Sequence, residues 1–526
     1  MDTLAARTFV GTAARPAVTA GRLALLAVLA ALFVLLAGNF ALYARYVIEA
    51  IGYPYQIDYG EGVVWWQMAA LGRPGGMYTD VHAYPWMVYH YPPLYHLASY
   101  AAAAALGDAL AAGRAVSAAA TLALALLMAA VTAQAAGRET PPVPRAIGAG
   151  IAALLPFGFT PVYEWSPLMR VDMLAVMLNV AGIALFLASL RRPRLFYLAG
   201  LAFVAAAFTK QTMITGAAAC FAVSLAVRPA LTLRVLAMCV AVGLAGLAAL
   251  TALTDGQFLL HILRYNANEY SLKLLADLLG GLLIEHRFAF AAMGAAVLFL
   301  AWPARGAPRP RSWRGWIAHL RGDPQAVATV TLIAYVAAGT VTALSLGKVG
   351  SYYNHAIDWM CAWSLVIGLA VAHLVRLSLA GPTSAARRRA TAAGIAMALA
   401  IGWQVYDGGA RWTTVPDDAE RTAAARLVDE LSRAPGAVWS IDMVATMRAG
   451  KDVIAEPAIV ADLAKQGVWD EAPLLDRLRH GGIDLVVVEE WRPTMYTPAM
   501  RAAVEESFPV TEGIGEYTLY RRAAPP

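Results

Sequence analysis

The sequence has few charged residues and few cysteines. Only 14% of its 526 residues are charged, whereas 60% are hydrophobic and the mean hydropathy is +0.57. This composition argues against an ordinary soluble enzyme. The three cysteines, Cys220, Cys239 and Cys361, all fall within predicted membrane spans. That placement excludes a paired disulfide framework and a CxxC metal pattern, and it predicts that the thiols are inert.

Long apolar runs recur along the chain. Windows of roughly 20 apolar residues predict a polytopic helical membrane protein. The approximate predicted spans are 22–43, 114–136, 146–161, 171–190, 195–210, 212–227, 235–254, 288–303, 326–346, 356–376 and 389–406. The segment 93–106 is apolar but short, and it begins at a Pro-Pro pair. It therefore either crosses the membrane or lies at its outer interface.

Arginine distribution decides the orientation. If 93–106 does not cross, the cytoplasmic segments contain GRETPPVPR, RRPR and ARGAPRPRSWRGWIAHLRGD, as the positive-inside rule requires. We therefore predict eleven spans and a cytoplasmic N-terminus, in a bacterial-type inner membrane or a plasma membrane. The net charge of +6 is explained by these loops, so nucleic-acid binding is not predicted.

The composition changes after the last span. DDAERTAAARLVDELSR and EPAIVADLAKQG are typical of helices, whereas AVWSID, DLVVVEE and YTLYRR are typical of strands, with DVIAEP as a further candidate. This pattern predicts a soluble α/β domain at 407–526, on the extracytoplasmic side, without a GxGxxG or Walker motif. The predicted fold is thus mainly α: a polytopic transmembrane helical bundle, 1–406, that includes the outer loop 44–113, followed by this domain.

Two acids follow the first span in the stretch IDYGEG, residues 57–62. Asp58 and Glu61 are three residues apart, so a helix over 58–69 would direct both carboxylates toward one cavity. A carboxylate there can accept a proton from an acceptor hydroxyl. It can equally cap the helix N-terminus, where negative charge is favourable.

Further ionisable residues are predicted at the same face. Arg170, Asp172, Lys210 and Lys348 lie at predicted outer span ends, where charge is costly, and as a set they indicate a shared water-filled cavity. Each side chain could alternatively extend to the interface on its own. The stretch GKVGSYYNH adds Tyr352, Tyr353, Asn354 and His355, as sugar or phosphate contacts or as a polar helix cap.

The outer loop also contains the aromatic stretch YPWMVYHYPPLYH, residues 84–96. Tyr89, His90 and Tyr91 could line a carbohydrate or lipid site, because aromatic faces stack on sugar rings. An interfacial aromatic belt is the alternative. The spacing of His82, His90 and His96 does not match a known ligand pattern, so no metal site is predicted there.

The order of these motifs resembles that of the GT-C superfamily of glycosyltransferases. IDYGEG after the first span, YPPLYH in the outer loop, RAVSAAATLALALLMAAVTAQAAGR and MRVDMLAVMLNVAGIALFL follow the order seen in protein mannosyltransferases and lipid A aminoarabinose transferases, enzymes of the glycosyltransferase family 39 type. The likeness covers roughly residues 20 to 230. The sequence departs from these relatives by reading DYGEG where they have an adjacent acidic pair, which leaves open which acid is the base.

The resemblance implies inverting sugar transfer from a polyprenyl-phosphate donor to an extracytoplasmic acceptor, in cell-envelope glycan biosynthesis. By carry-over, Asp58 would be the general base and Asp172 would position a substrate, with Glu61 retained as a catalytic candidate. Arg170, Lys210 and Lys348 are the donor-phosphate candidates, chosen by charge and predicted depth. The acceptor stays open among a glycan, a lipid and a protein, and membrane lipid is the surrounding partner.

Two points stay open at this stage. No cofactor is firmly implied, and a divalent metal requirement is left undecided. The alternative function is a polytopic transporter or lipid flippase, which would use the same cavity to move its substrate. One-sided polar residues and the lack of a sequence repeat favour the enzyme.

Overall fold

The computed structural model describes residues 20–301 and 312–523, and the side chains of 409 and 410 are not described. A helical bundle precedes a small mixed α/β unit. The helices of the bundle are α1 Ala20–Gly52, α2 Tyr59–Ala69, α3 Leu94–Leu106, α4 Ala109–Ala136, α5 Pro142–Leu154, α6 Thr160–Trp165, α7 Asp172–Ser189, α8 Leu195–Ala207, α9 Thr215–Val227, α10 Pro229–Leu253, α11 Gln257–Leu259, α12 Leu272–Glu285, α13 Arg287–Ala301, α14 Trp313–Gly322, α15 Pro324–Ala343, α16 Ile357–Ala380 and α17 Ser384–Asp407.

The apolar helices match the predicted membrane segments in position. Within the described ranges, six helices are long and apolar enough to cross a membrane, or seven if α12 and α13, bent by 83°, form one span. The helices α8 and α9 are apolar but shorter. The polytopic helical fold is confirmed, whereas the count of eleven stays a prediction. The predicted cytoplasmic segment 1–21 and the arginine-rich start of 304–325 lie largely outside the described residues.

The helix α3 corresponds to the segment 93–106, which was predicted either to cross the membrane or to lie at its outer interface. Its 13 residues extend about 20 Å at 1.5 Å per residue, less than the hydrocarbon thickness of a bilayer. The backbone amide of Leu94, at its start, donates to Phe208 O at 3.1 Å. Asp108, just beyond its end, pairs with Arg448 of the C-terminal unit at 2.5 Å. The helices α8 and α9, which coincide with predicted spans, also have 13 residues, so the reading in which α3 does not cross stays a prediction.

The C-terminal unit contains one four-stranded sheet. Its elements are α18 Asp418–Arg433, β1 Val438–Ser440, α19 Met443–Arg448, α20 Pro457–Lys465, α21 Ala472–His480, β2 Leu485–Val488, α22 Pro498–Ser507, β3 Val510–Ile514 and β4 Tyr517–Arg521. The strand order is β1-β2-β4-β3, with β1 parallel to β2 and the other pairs antiparallel. The register pairs Trp439 with Val486 and Val487 with Leu519.

Three predicted strands are confirmed, and two details differ. DVIAEP is not a ladder strand, because its Ala455 makes only an isolated parallel bridge to Trp86 of the outer loop. The strand β3 was not predicted, since four of its five residues are exposed or half-buried and it lacks an alternating apolar pattern. Both differences reflect tertiary pairing that the local sequence does not specify.

The C-terminal unit is anchored to the outer loop. Trp86 packs against Trp469 with ring centroids 5.7 Å apart, and its backbone amide donates to Ile454 O at 2.9 Å. The helix α19 lies on α2, and its Arg448 Nε donates to the O of Pro54, in the segment between α1 and α2, at 3.0 Å. The unit therefore covers the segment that carries Asp58 and Glu61.

Candidate active site

The two acids of IDYGEG form the N-terminus of α2. Asp58 is the N-cap, and its Oδ1 accepts the Gly60 amide at 3.0 Å. Glu61 Oε2 accepts the backbone amides of Ile57 at 3.0 Å and of Asp58 at 3.4 Å. This reciprocal capping box satisfies backbone donors that a helix start leaves without partners. The predicted helix over 58–69 is therefore present.

Glu61 is fully buried against Arg114. The guanidinium Nε and Nη2 donate to its two oxygens at 2.7 and 2.6 Å, and the Met169 amide donates at 2.9 Å. Both side chains have zero exposed area. Although burial alone favours the neutral acid, Arg114 and these amides hold the pKa of Glu61 below its usual range. The two acids thus do not face one open cavity, because Glu61 turns inward.

Asp58 turns instead toward Arg170. Arg170 Nη1 donates to Asp58 Oδ1 at 2.7 Å, and the two side chains are 15% and 27% exposed. A Cβ at Gly60 would lie 1.3 Å from Arg170 Nη1, so the missing side chain of glycine is what allows this approach. Burial raises the pKa of Asp58 above its ordinary value, against the opposing charge of Arg170. Asp58 is therefore a partly accessible carboxylate beside a cation.

Asp172 lies at the centre of a second ionic group. Its Oδ1 accepts Lys210 Nζ at 2.6 Å and Asn354 Nδ2 at 3.0 Å. Asp172 and Lys210 are 1% and 4% exposed. Within the described part of the chain, Asp172 Oδ2 has no hydrogen-bond partner although it is buried. A buried carboxylate oxygen without a partner is unusual in a folded protein, so Asp172 Oδ2 marks a candidate position for a ligand that opens this site on binding.

Lys348 belongs to a third group. Its ammonium donates to both the backbone O and the side-chain Oδ1 of Asn266, the latter at 2.9 Å. Asn266 Nδ2 and Gln211 Nε2 in turn donate to His90 O at 3.1 and 2.9 Å. Burial, reinforced by the charges of His261, Lys348 and Arg170, lowers the pKa of His90 to about 3. A neutral His90 therefore lies within electrostatic range of two of the predicted phosphate ligands.

His355 lies near the cationic side chains without contacting them. Its Nδ1 is 2.9 Å from Ser345 Oγ. The ring lies within electrostatic range of Lys210, Lys348 and Arg170. Three cations that are far apart in sequence thus lie near one histidine, whereas the side of the membrane on which they lie stays a prediction.

The predicted aromatic contacts differ in how exposed their side chains are. Tyr352 is 49% exposed and lies 5.3 Å from Trp165 and 4.7 Å from Tyr353, between ring centroids. Tyr89 is only 1% exposed and packs against other aromatic rings, so its side chain offers no surface to a ligand. Tyr91 is half-buried and lies within electrostatic range of Arg170.

The outer-loop histidines do not form a cluster of ligands. Gln67 lies between two of them, with Nε2 3.4 Å from His90 Nδ1 and Oε1 3.1 Å from His96 Nε2, whereas His82 is exposed. Within 20–301 and 312–523, no group of three or more His, Cys, Asp or Glu side chains is arranged to hold a metal ion.

Sequence reasoning missed two buried ionisable residues. Arg114 was placed at the start of a predicted span without a role, and Asp358 was placed inside one. The signal was present, because an ionisable residue at membrane depth normally has a specific partner. What the sequence did not specify is that Arg114 pairs with Glu61, 53 residues away.

A groove of about 500 Å³ lies apart from these groups. It is lined by residues at the C-terminal end of α1, including Glu49 and Tyr53, and by residues before and within α18, including Arg421. None of the predicted site residues lines it. The convergence of paired charges, rather than this open groove, marks the candidate site.

The fold of this chain resembles those of several solved structures. No protein-family model and no curated protein matches the sequence. The chain is similar to the crystal structure of ArnT from Cupriavidus metallidurans bound to undecaprenyl phosphate, with 13% identity, a TM-score of 0.56 and coverage of 93% of this chain and 98% of that one.

The chain is also similar to the oligosaccharyltransferase of Archaeoglobus fulgidus tethered to an acceptor peptide, with 12% identity, a TM-score of 0.54 and coverage of 92% and 72%. AglB from the same organism, in complex with an inhibitory peptide and a dolichol-phosphate, matches with 12% identity, a TM-score of 0.50 and coverage of 88% and 69%. At these identities the likeness establishes the architecture. The chain has the fold shared by ArnT and the archaeal oligosaccharyltransferase.

Proposed function

We propose that this protein transfers a sugar from a polyprenyl-phosphate donor to an extracytoplasmic acceptor, with inversion at the anomeric carbon. The observation that carries the proposal is the Asp58–Arg170 pair, a partly exposed carboxylate beside a converging set of cations. The undecaprenyl phosphate and dolichol-phosphate bound by the similar structures support a lipid phosphate as the donor's leaving group.

The chemistry needs a base on one side and cations on the other. The acceptor oxygen attacks C1 of the sugar, and the bond between C1 and the phosphate oxygen breaks. The acceptor proton passes to Asp58, and the electron pair of the broken bond stays on the lipid phosphate. Arg170, Lys210 and Lys348 stabilise that developing charge.

Donor binding also explains why Asp58 is held by an arginine. When the donor phosphate is bound, Arg170 turns part of its guanidinium to the phosphate and releases Asp58 as a proton acceptor. Arg170 Nε is buried and has no hydrogen-bond partner within the described ranges, so it can bind the phosphate once the guanidinium has turned. Its pairing with Asp58 is thus exchanged for pairing with the substrate.

The other predicted residues take positioning roles in this proposal. The free Oδ2 of Asp172 accepts a hydroxyl of the donor sugar, while Lys210 and Asn354 fix its Oδ1. Tyr352 stacks on a sugar ring beside Asp58. Glu61 is left out of the reacting groups, because Arg114 and three backbone amides already occupy its oxygens.

Mass spectrometry of envelope glycans and lipids tests the proposal. Cells that carry the protein should contain a hexose- or pentose-modified species that is absent from cells without it. Cells that carry Asp58→Asn should lack that species, whereas the control Asp277→Asn, which changes an exposed acid of α12, should retain it. A wild-type glycan profile with Asp58→Asn would remove Asp58 from the mechanism.

The transporter alternative makes a different prediction. A flippase moves its lipid without breaking the bond between sugar and phosphate, so no released polyprenyl phosphate should accumulate. Release of that phosphate in step with sugar transfer, by the purified protein, favours the enzyme.

A further inference from the structure

A pair of carboxylates near the candidate site takes no part in the proposed mechanism. Glu164 lies on the short helix α6, and Glu285 is the last residue of α12. The hydroxyl of Thr160, one turn before Glu164, donates to Glu285 Oε1. Because residues four apart share one face of a helix, this hydrogen bond brings both carboxylates to the same gap between α6 and α12.

The arginines closest to this gap have other partners. Arg287 follows the α12 carboxylate by two positions, but it pairs with Asp407 at 2.7 Å. Arg411 lies in the segment after α17 that packs against α6, and its guanidinium lies over two aromatic rings. Within 20–301 and 312–523, no lysine or arginine forms an ion pair with either carboxylate. An anionic group in the gap would therefore meet uncompensated negative charge.

The neighbouring histidine does not supply a charge either. Gln404 Nε2 donates to His286 Nδ1 at 3.1 Å, which leaves the ring neutral, and His286 Nε2 is 3.8 Å from Glu285. Burial, together with the charges of Glu285 and Asp58, raises the pKa of Glu164 to about 7. Since part of that shift comes from the charge of its neighbour, the pair is negative at neutral pH. The side chain of Glu285 is 38% exposed, so solutes can reach it.

Aromatic rings line the same gap. The ring centroids of Trp165 and Tyr352 are 5.3 Å apart, and those of Tyr352 and Tyr353 are 4.7 Å apart. A Cβ at Gly281, one turn before Glu285, would lie 2.9 Å from Tyr353 Oη, so this hydroxyl faces the same side of α12 as the carboxylate. Trp165 is 6% exposed, and its Nε1 has no hydrogen-bond partner within the described ranges. A buried donor without a partner, beside the exposed ring of Tyr352, marks a position for a ligand oxygen.

These groups together have the chemistry of a sugar-binding site. An aromatic face stacks on the C–H face of a sugar ring, carboxylates accept hydroxyl protons, and an indole N–H donates to a sugar oxygen. The same site lies next to the proposed base. Ile57, which precedes Asp58, packs against the aromatic cluster that contains Tyr163, the neighbour of Glu164. Because the base must contact the acceptor hydroxyl, a sugar held here is the acceptor.

We propose that Glu164, Glu285, Trp165 and Tyr352 form an acceptor subsite that takes a sugar residue without negative charge. This inference rests on the proposed function, and it narrows the acceptor to the sugar end of a glycan or glycolipid. A phosphate or carboxylate at this position would be repelled by the carboxylate pair, whereas the donor phosphate is attracted to the cations. Like-charge repulsion of the wrong substrate is a common source of specificity.

Saturation-transfer NMR on the full-length protein, in a detergent without a sugar head group, measures this preference. The probes are the methyl glycosides of glucose, galactose and mannose, and the matching uronosides, in which a carboxylate replaces the CH₂OH group. The measurement is made at about pH 8, above the pKa of Glu164. We expect wild type to bind at least one neutral glycoside and to bind its uronoside more weakly.

The variants separate charge from shape. Glu164→Gln should narrow the ratio of the two dissociation constants about sixfold, the effect of one charge at about 8 Å with an effective dielectric constant of about 40. Asp277→Asn, which changes an exposed acid of α12, is the matched control and should leave the ratio unchanged. Trp165→Phe should weaken binding of the neutral glycoside about two- to twelvefold, the loss of one hydrogen bond.

Three results would overturn the inference: no neutral glycoside bound by wild type, a ratio that Glu164→Gln leaves unchanged, or full glycoside affinity in folded Trp165→Phe. The proposed function fails separately. It fails if purified wild type binds a neutral glycoside but releases no polyprenyl phosphate from native lipid extract. Release of that phosphate without glycoside binding would remove the acceptor subsite alone.

Discussion

Asp58 and Glu61 have the same chemistry and nearly the same sequence position, yet their surroundings differ completely. Glu61 has zero exposed area and a two-point contact with Arg114. Asp58 is partly exposed and shares only one oxygen with Arg170 and the Gly60 amide. Because the interior fixes Glu61 and leaves Asp58 accessible, Asp58 is the acid that can exchange a proton with a substrate.

The buried Glu61–Arg114 pair predicts a stability effect. Glu61→Gln leaves Arg114 as an uncompensated buried charge, so we expect a loss of about 3 to 5 kcal/mol in the free energy of unfolding. Thermal unfolding in detergent measures this change, with Asp58→Asn as the comparison variant. A Glu61→Gln protein that melts at the wild-type temperature would contradict the structural role of Glu61.

The raised pKa of Asp58 predicts the acid limb of the pH–rate profile. A general base works only when ionised, so kcat/KM should fall as the pH drops through the pKa of Asp58 in the folded protein. Burial raises this pKa above the ordinary aspartate value of about 3.9, so the limb should lie above that value. A profile that stays flat down to pH 4 would contradict the assignment.

At the scale of elements, two glycines of α2 determine what can lie against it. Gly60 admits Arg170, and Gly62 admits α19 of the C-terminal unit. A Cβ at Gly62 would lie 2.7 Å from Met443 Cβ and 3.0 Å from the backbone N of Val444. Arg170 and α19 therefore both pack closely against the short helix that begins at Asp58.

This packing predicts that Gly62→Ala loosens the C-terminal unit. Backbone atoms of α19 cannot move aside cheaply, and overpacking costs about 1 to 3 kcal/mol. Limited proteolysis at the segment between α17 and α18 should therefore be faster for Gly62→Ala than for wild type. Gly52→Ala is the matched control, since nothing lies within 4 Å of its added Cβ. Equal cleavage rates for the two variants would show that the contact does not hold the unit.

The helices could be predicted from sequence better than their pairings. Apolar runs specify membrane helices because hydrocarbon requires internal backbone hydrogen bonding, so each of the predicted segments falls largely on a helix. The interior pairing of Glu61 with Arg114 depends on contacts between distant segments, which hydropathy does not encode. For the same reason Tyr89 was predicted as a ligand contact but lies in an aromatic core.

At the scale of the whole molecule, the segments that flank α2 and α3 lie against the C-terminal unit at one end of the bundle. Arg448 of that unit contacts both Asp108 and Pro54. The positive-inside rule predicts which side of the membrane this end faces. The predicted cytoplasmic loop RRPR contains Arg191, and the predicted outer segment contains Lys273, and both side chains are exposed.

Cysteine labelling checks this orientation. A membrane-impermeant thiol reagent applied to intact cells should label Lys273→Cys, and it should label Arg191→Cys only after permeabilisation. The native cysteines give a low background, because Cys220 and Cys361 are buried and Cys239 is half-buried. Labelling in the opposite pattern would invert the topology and place the candidate site in the cytoplasm.

The central claim is sugar transfer from a polyprenyl-phosphate donor with Asp58 as the base, and single-turnover transfer by the purified protein tests it most directly. Lipid extract from the native membrane supplies donor and acceptor, and mass spectrometry follows polyprenyl phosphate and glycosylated product together. We predict equal formation of both by wild type, and a rate at least about 100-fold lower for folded Asp58→Asn, the usual loss when a general base is removed. Full-rate transfer by Asp58→Asn would contradict the account.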